Sequence, residues 1–149
     1  MIFIEIFAEY KEYVSAPILE RAAHTTLHHQ SSEGDLTIVI TTNDEIRALN
    51  HQHRGFDAVT DVLSFEAGYA DPETGRIYLG DVVIAYPQAE TQAAKNNHPL
   101  AAELQLLVVH GVLHLLGHDH ANLEEKSTMW QVQGEILSQL GLDNLKFAS

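Results

Sequence analysis

The chain has 149 residues, with 8 Lys+Arg against 21 Asp+Glu and a formal charge of −13. That length suits one domain able to bury a core, and a hydrophobic content of 45% excludes a disordered chain despite the acidity. With 0 Cys there is no disulfide framework, no thiolate zinc cluster and no cysteine nucleophile, so any zinc site must be built from histidines and carboxylates.

Ile2, Ile4 and Ile6 alternate with Phe3, Glu5 and Phe7, which predicts a first strand. Pro17, with Ser15 or Ala16 as cap, opens a helix whose apolar stripe is Leu19, Ala22, Ala23 and Leu27; residues 31–34 break it. Leu36 to Thr41 (LTIVIT) is β-branched and reads as a second strand. Thr42 with Glu45 forms a capping box for a helix through Ile46 and Leu49 to about His53. Val62 to Phe65 predicts a short third strand, Gly68, Pro72 and Gly75 a loop, and Ile77 to Ala85 a fourth strand. Pro87 starts a helix ending near Asn96 or Asn97, and a mostly apolar helix runs from Pro99 to about Leu116, with Gly117 as its left-handed cap. Asn122 and Glu125 cap a last helix, with Met129, Val132, Ile136, Leu137 and Leu140 facing inward.

The order β-α-β-α-β-β-α-α-α predicts an α+β fold: a single domain over 1–149, with a mixed four-stranded sheet, about five packed helices and an antiparallel pairing of the third and fourth strands. The start lacks a basic region and Glu5 interrupts its apolar run, so it makes a poor signal peptide. The apolar stretch from Leu104 to Leu116 contains His110 and His114 and is too short for a membrane span. A cytoplasmic protein with no membrane association is expected. The acidity disfavours sequence-blind attraction to nucleic acid, so an RNA or DNA substrate would need a local positive site such as a metal ion plus an arginine.

Residues 110–120 read HGVLHLLGHDH. His110 and His114, at i and i+4, project from one helix face; Gly117 then turns the chain so that His120 can return as a third nitrogen ligand. Three imidazoles with an open fourth position describe a catalytic zinc site, with nickel, copper or iron as alternatives from the donors alone. His118 could replace His120 geometrically, but its expected place is the mouth of the site. His24 and His28 share the i, i+4 spacing but lack a third partner, and read as solvated side chains. The spacing also resembles the metzincin protease motif H-E-x-x-H-x-x-G-x-x-H, except that Gly111 stands where the general base would be. Asp119 lies near the turn and is a poor substitute for it.

The motif further resembles H-G-x-L-H-L-x-G-Y-D-H of the YbeY family, bacterial single-strand-specific endoribonucleases of ribosomal RNA maturation and quality control. Leu49-Asn50 with Arg54, the run from Thr60 to Phe65 (TDVLSF), Gly80-Asp81-Val82-Val83-Ile84 and Leu140-Gly141-Leu142 resemble further family segments in order. His118 replaces the family's usual Tyr, the segment GFDAV lacks its Lys-Pro, and Glu66 stands where a Pro is usual.

This resemblance implies a zinc-dependent endoribonuclease acting at the 16S rRNA 3′ end, with one Zn2+ per chain on His110, His114 and His120. Arg54 and His114 are the implied catalytic residues. Read blind, an arginine at a helix end would interact with the last carbonyls; the resemblance instead implies that Arg54 grips a phosphate. His51 and His53 are expected to face solvent near the substrate path. Asp61, Ser64, Asp81, His118 and Asp119 are candidates for orienting a ligand or lining that path. Met129 and Trp130 read as core. Single-stranded RNA and the small ribosomal subunit or its proteins are the implied partners, with no organic cofactor. Whether water or the RNA 2′-OH attacks stays open, as do a metal-dependent hydrolase of another substrate, peptides included, and a non-enzymatic assembly factor with His118 as fourth ligand.

Overall fold

The computed structural model describes residues 1–143. Strands β1 (Ile2–Ile6), β2 (Asp35–Thr41), β3 (Val62–Ala70) and β4 (Ile77–Ala85) form one sheet in the order β1-β2-β4-β3. β1 with β2 and β2 with β4 are parallel, while β3 with β4 is antiparallel. The parallel pairs follow from the helical crossovers between them, and the antiparallel pair from a short hairpin. Helices α1 (Ala16–His29), α2 (Asn43–Arg54), α3 (Tyr86–Lys95), α4 (Leu100–Leu115) and α5 (Leu123–Gln139) accompany the sheet among the described residues, with a 3-10 turn at Ala8–Tyr10.

β3 is longer than the pattern predicts. It continues past Phe65 through Gly68, whose φ of +65° falls within a register shift between Glu66 and Tyr69. Gly68 therefore sits in a bulge instead of ending the strand, because β4 still offers it a hydrogen-bonding neighbour. The turn lies farther on, where the Glu73 N–H donates to Asp71 Oδ1 at 2.8 Å and the Asp71 N–H to the Arg76 carbonyl at 2.7 Å.

The main core lies on one face of the sheet. Leu36, Ile38, Ile40, Val82 and Ile84 pack there against Leu19 and Ala23 of α1, Leu107, Val108 and Val112 of α4, and Met129 and Ile136 of α5. Each fully buried leucine or isoleucine adds about 1.5–3 kcal/mol. The opposite face carries a smaller cluster of Ile46, Leu63, Val83 and Ala85 under α2. The capping signals at Thr42 and Asn122 form, the Glu45 N–H donating to Thr42 Oγ1 at 3.1 Å and the Glu125 N–H to Asn122 Oδ1 at 2.8 Å, whereas Ser15 is the N-cap of α1 but makes no side-chain cap hydrogen bond. Among the described residues no helix is long and apolar enough to cross a membrane.

Candidate metal centre

α4 is buried nearly all round, and its approach to the sheet depends on one residue. A Cβ at Gly111 would lie 2.5 Å from Val82 Cγ1 and 3.3 Å from Ser64 Oγ. Glycine thus lets the helix backbone close on β3 and β4, and Ser64 Oγ donates to the Gly111 carbonyl at 2.8 Å. The position that carries the base in the protease motif therefore points into the sheet here. A glutamate at 111 would meet Val82, not a substrate.

The helix ends in a Schellman motif. Gly117, at φ +96°, lets its own N–H reach the His114 carbonyl at 3.0 Å, and the His118 N–H reach the Leu113 carbonyl at 3.0 Å. The reversed chain returns His120 to the helix face carrying His110 and His114. One ligand atom from each of the three lies within 4.8 Å of the others. The His120 N–H is held by Asp119 Oδ1 at 2.7 Å.

Burial first, and the neighbouring His114 second, push the His110 imidazole down to about 4. His114 is also lowered, again chiefly by burial and then by His120. Neutral imidazole is the metal-binding form. The Nε2 atoms of His110 and His114 are 3.1 Å apart, while His110 Nδ1 lies 3.0 Å from the Gln133 oxygen. If Nδ1 keeps the proton, His110 turns a nitrogen lone pair toward its neighbours. Three convergent imidazole nitrogens of this kind fit a borderline divalent cation.

The cluster lies in a cleft of about 590 Å3. Thr60, Asp61, Val62, Leu63, Ser64 and Glu66 line one side, and Asp119, Lys126 and Trp130 the other, with Arg54 at the rim. Arg54 is the last residue of α2, and its guanidinium lies 5.5 Å from the Phe56 ring centroid. Lys126 is similarly placed, with Nζ 5.5 Å from the Trp130 centroid. By contrast Arg47 and Arg76 are bound to Asp57 and Asp35. Among the described residues, Arg54 and Lys126 thus border the histidines without a carboxylate partner in an ion pair.

Most of the sequence candidates converge here, and two do not. Asp61 is in the cleft wall, accepting from the Val62 N–H at 2.8 Å and from Gln92 at 3.2 Å. Ser64 and Asp119 are also in the wall. Asp81 is elsewhere: it pairs in register with Thr37 and Phe65 and takes a hydrogen bond from Tyr78, which accepts from Thr37 at 2.6 Å. It shares a sheet face with Val83, away from α4, because alternate residues of β4 point to opposite faces. His118 does not line this cleft either; its Nε2–H donates to Gln30 Oε1 at 2.7 Å, at the end of α1. A closed four-ligand site would need another protein donor, and His118 is not turned to give it.

Trp130, read as core from the sequence, is only half-buried. Its ring is 5.7 Å from His120 and 5.8 Å from His110, nearly perpendicular to both. Gln133 and Lys126 were not singled out from the sequence. Gln133 carries a signal in retrospect, as a polar residue on the buried stripe of α5, whereas Lys126 looks like any exposed helical lysine.

Fold and site together define a small α+β protein with a three-histidine centre able to hold a metal ion at the floor of a cleft. Residues 5–141 match the family Endoribonuclease YbeY. A relative named Endoribonuclease YbeY from Shouchella clausii is 46% identical over 134 residues, covering 84% of this chain and 82% of that protein. Another of that name, from Roseiflexus castenholzii, is 37% identical over 149 residues, covering 95% and 94%. The solution structure of TM1509 from Thermotoga maritima has a similar fold, with a TM-score of 0.58 and 24% identity over 95% of this chain and 92% of that one. The chain belongs to the YbeY endoribonuclease family.

Proposed function

We propose that this protein, a single domain over residues 1–149, is a zinc-dependent endoribonuclease. Its substrate is single-stranded RNA, cut in the cytoplasm during maturation of the 16S rRNA 3′ end and ribosome quality control. The observation that carries this reading is the histidine cluster on the floor of a cleft bordered by Arg54 and Lys126. His110, His114 and His120 would hold one ion per chain, and when bound it supplies Lewis-acid polarisation of phosphoryl oxygens and acidifies water.

The remaining work falls to the chain. Arg54 holds the phosphate through its planar fork and shares the charge that builds up in the transition state. The Phe56 ring props that guanidinium without neutralising it. Lys126 offers a second positive contact across the cleft. With Arg54 and Lys126 as the cations at the site among the described residues and a charge of −13 overall, unaided affinity for RNA is weak, and the small ribosomal subunit or its proteins deliver the substrate.

The test begins with protein purified without added metal, assayed by elemental analysis and by cleavage of a single-stranded RNA. Wild type should carry about one zinc per chain. His114→Ala should lose both metal and cleavage. Arg54→Ala should keep its zinc and lose cleavage by about 10²–10³-fold, the scale for removing one charge-stabilising donor. Wild type without metal, or cleavage that neither substitution alters, refutes the proposal.

A further inference from the structure

The buried stripe of α5 runs through Met129, Gln133, Ile136 and Leu137, and Gln133 is its polar member. A carboxamide placed among such neighbours costs stability unless it is hydrogen-bonded. Gln133 is 4% exposed and His110 is 3% exposed, and they meet across the α4–α5 interface. The contact is Gln133 Oε1 to His110 Nδ1, at 3.0 Å, while His110 Nε2 faces His114 Nε2.

We propose that Gln133 is a positioning residue: its side-chain oxygen fixes the His110 proton on Nδ1 and the ring plane with it, so that Nε2 is the nitrogen offered to a metal ion. The inference rests on the reading of the three histidines as a metal centre. A carboxamide oxygen only accepts, so Nδ1 must donate to it and Nε2 is left with a lone pair. In water an unconstrained neutral histidine favours the other tautomer, with the proton on Nε2, which closes that nitrogen to a metal. The partner of the second nitrogen therefore decides whether His110 is ready to bind. The His110 ring stands square to Trp130, at 89°. A methionine at 133 would fill the space and accept almost nothing, whereas a glutamate would still accept.

The experiment uses the metal-free protein with 15N-labelled histidine, read by NMR, and zinc affinity measured by competition with a chelator. In wild type the His110 Nδ1 should resonate as a protonated nitrogen and Nε2 as an unprotonated one. Gln133→Met should move the proton to Nε2 and weaken zinc binding about 10–100-fold, the usual effect of losing such a partner. Gln133→Glu should restore the wild-type tautomer and return the affinity toward wild type. Wild type with the proton on Nε2 overturns the proposal, whether or not Gln133→Met folds. So does a folded Gln133→Met that binds zinc as tightly as wild type. A wild-type protein with the Nδ1 proton but no affinity for zinc refutes the metal reading and leaves the positioning of His110 standing.

Discussion

Gly111→Ala puts the packing argument at risk in one methyl group. In an ordinary helix interior this substitution stabilises by about 1 kcal/mol, because alanine has less backbone freedom to lose. Here the new Cβ would lie 2.5 Å from Val82 Cγ1, 3.2 Å from Cγ2 and 3.3 Å from Ser64 Oγ. Val82 is fully buried on β4, which is hydrogen-bonded to β2 on one side and β3 on the other, so it cannot retreat. The overpacking cost should reach the upper end of its usual range, about 3 kcal/mol. The net is a destabilisation of about 2 kcal/mol, or a fall in Tm of about 4–8 °C for a domain of this size. Because α4 must move, His110 shifts too, and zinc affinity should fall. Gly134→Ala is the control: it lies in α5, with nothing within 4 Å of the added methyl, and should raise stability by about 1 kcal/mol. Thermal and urea unfolding of both variants in the presence of chelator measures the two signs. If Gly111→Ala stabilises as much as Gly134→Ala, the close approach of α4 to the sheet is not what glycine is there for.

Three further outcomes are expected. His118→Tyr should leave zinc stoichiometry unchanged, since His118 Nε2 is engaged with Gln30 Oε1 at 2.7 Å; loss of the ion on elemental analysis would make His118 a ligand. RNA binding should depend weakly on salt: two phosphate contacts, from Arg54 and Lys126, predict a log–log slope of about −1.4, and one steeper than about −4 would require many more cations than border the cleft. Tyr78 is held up to about 12, chiefly by burial and next by its bond to Asp81. The folded state thus keeps a proton that the unfolded chain gives up near pH 10, so this stabilisation is present below pH 10 and is lost as pH rises toward 12. Thermal midpoints across that range should fall less steeply in Tyr78→Phe, and equal slopes would count against it.

Much of the architecture was legible because it is local. The alternation of Ile2, Ile4 and Ile6, the run LTIVIT and the caps at Thr42 and Asn122 depend on neighbours a few residues away, and each produced its expected element. The three metal-ligand candidates were legible for a similar reason. His110 and His114 are one helical turn apart, and Gly117 supplies the positive φ that brings His120 back. Spacing along the eleven residues from His110 to His120 is enough to set that geometry.

What spans distant segments was decided only in three dimensions. Gly68 reads as a strand breaker, yet β4 beside it keeps β3 going to Ala70. Asp81 sits in a family-like segment, but the side-chain alternation of β4 turns it to the face away from α4. Trp130 looks like one more apolar residue until His110 and His120 are placed against its ring. Gln133 and His110 are 23 residues apart, and their bond exists because α5 lies across α4. Periodicity tells which way a side chain points relative to its own element, whereas its partner depends on which other element that face meets.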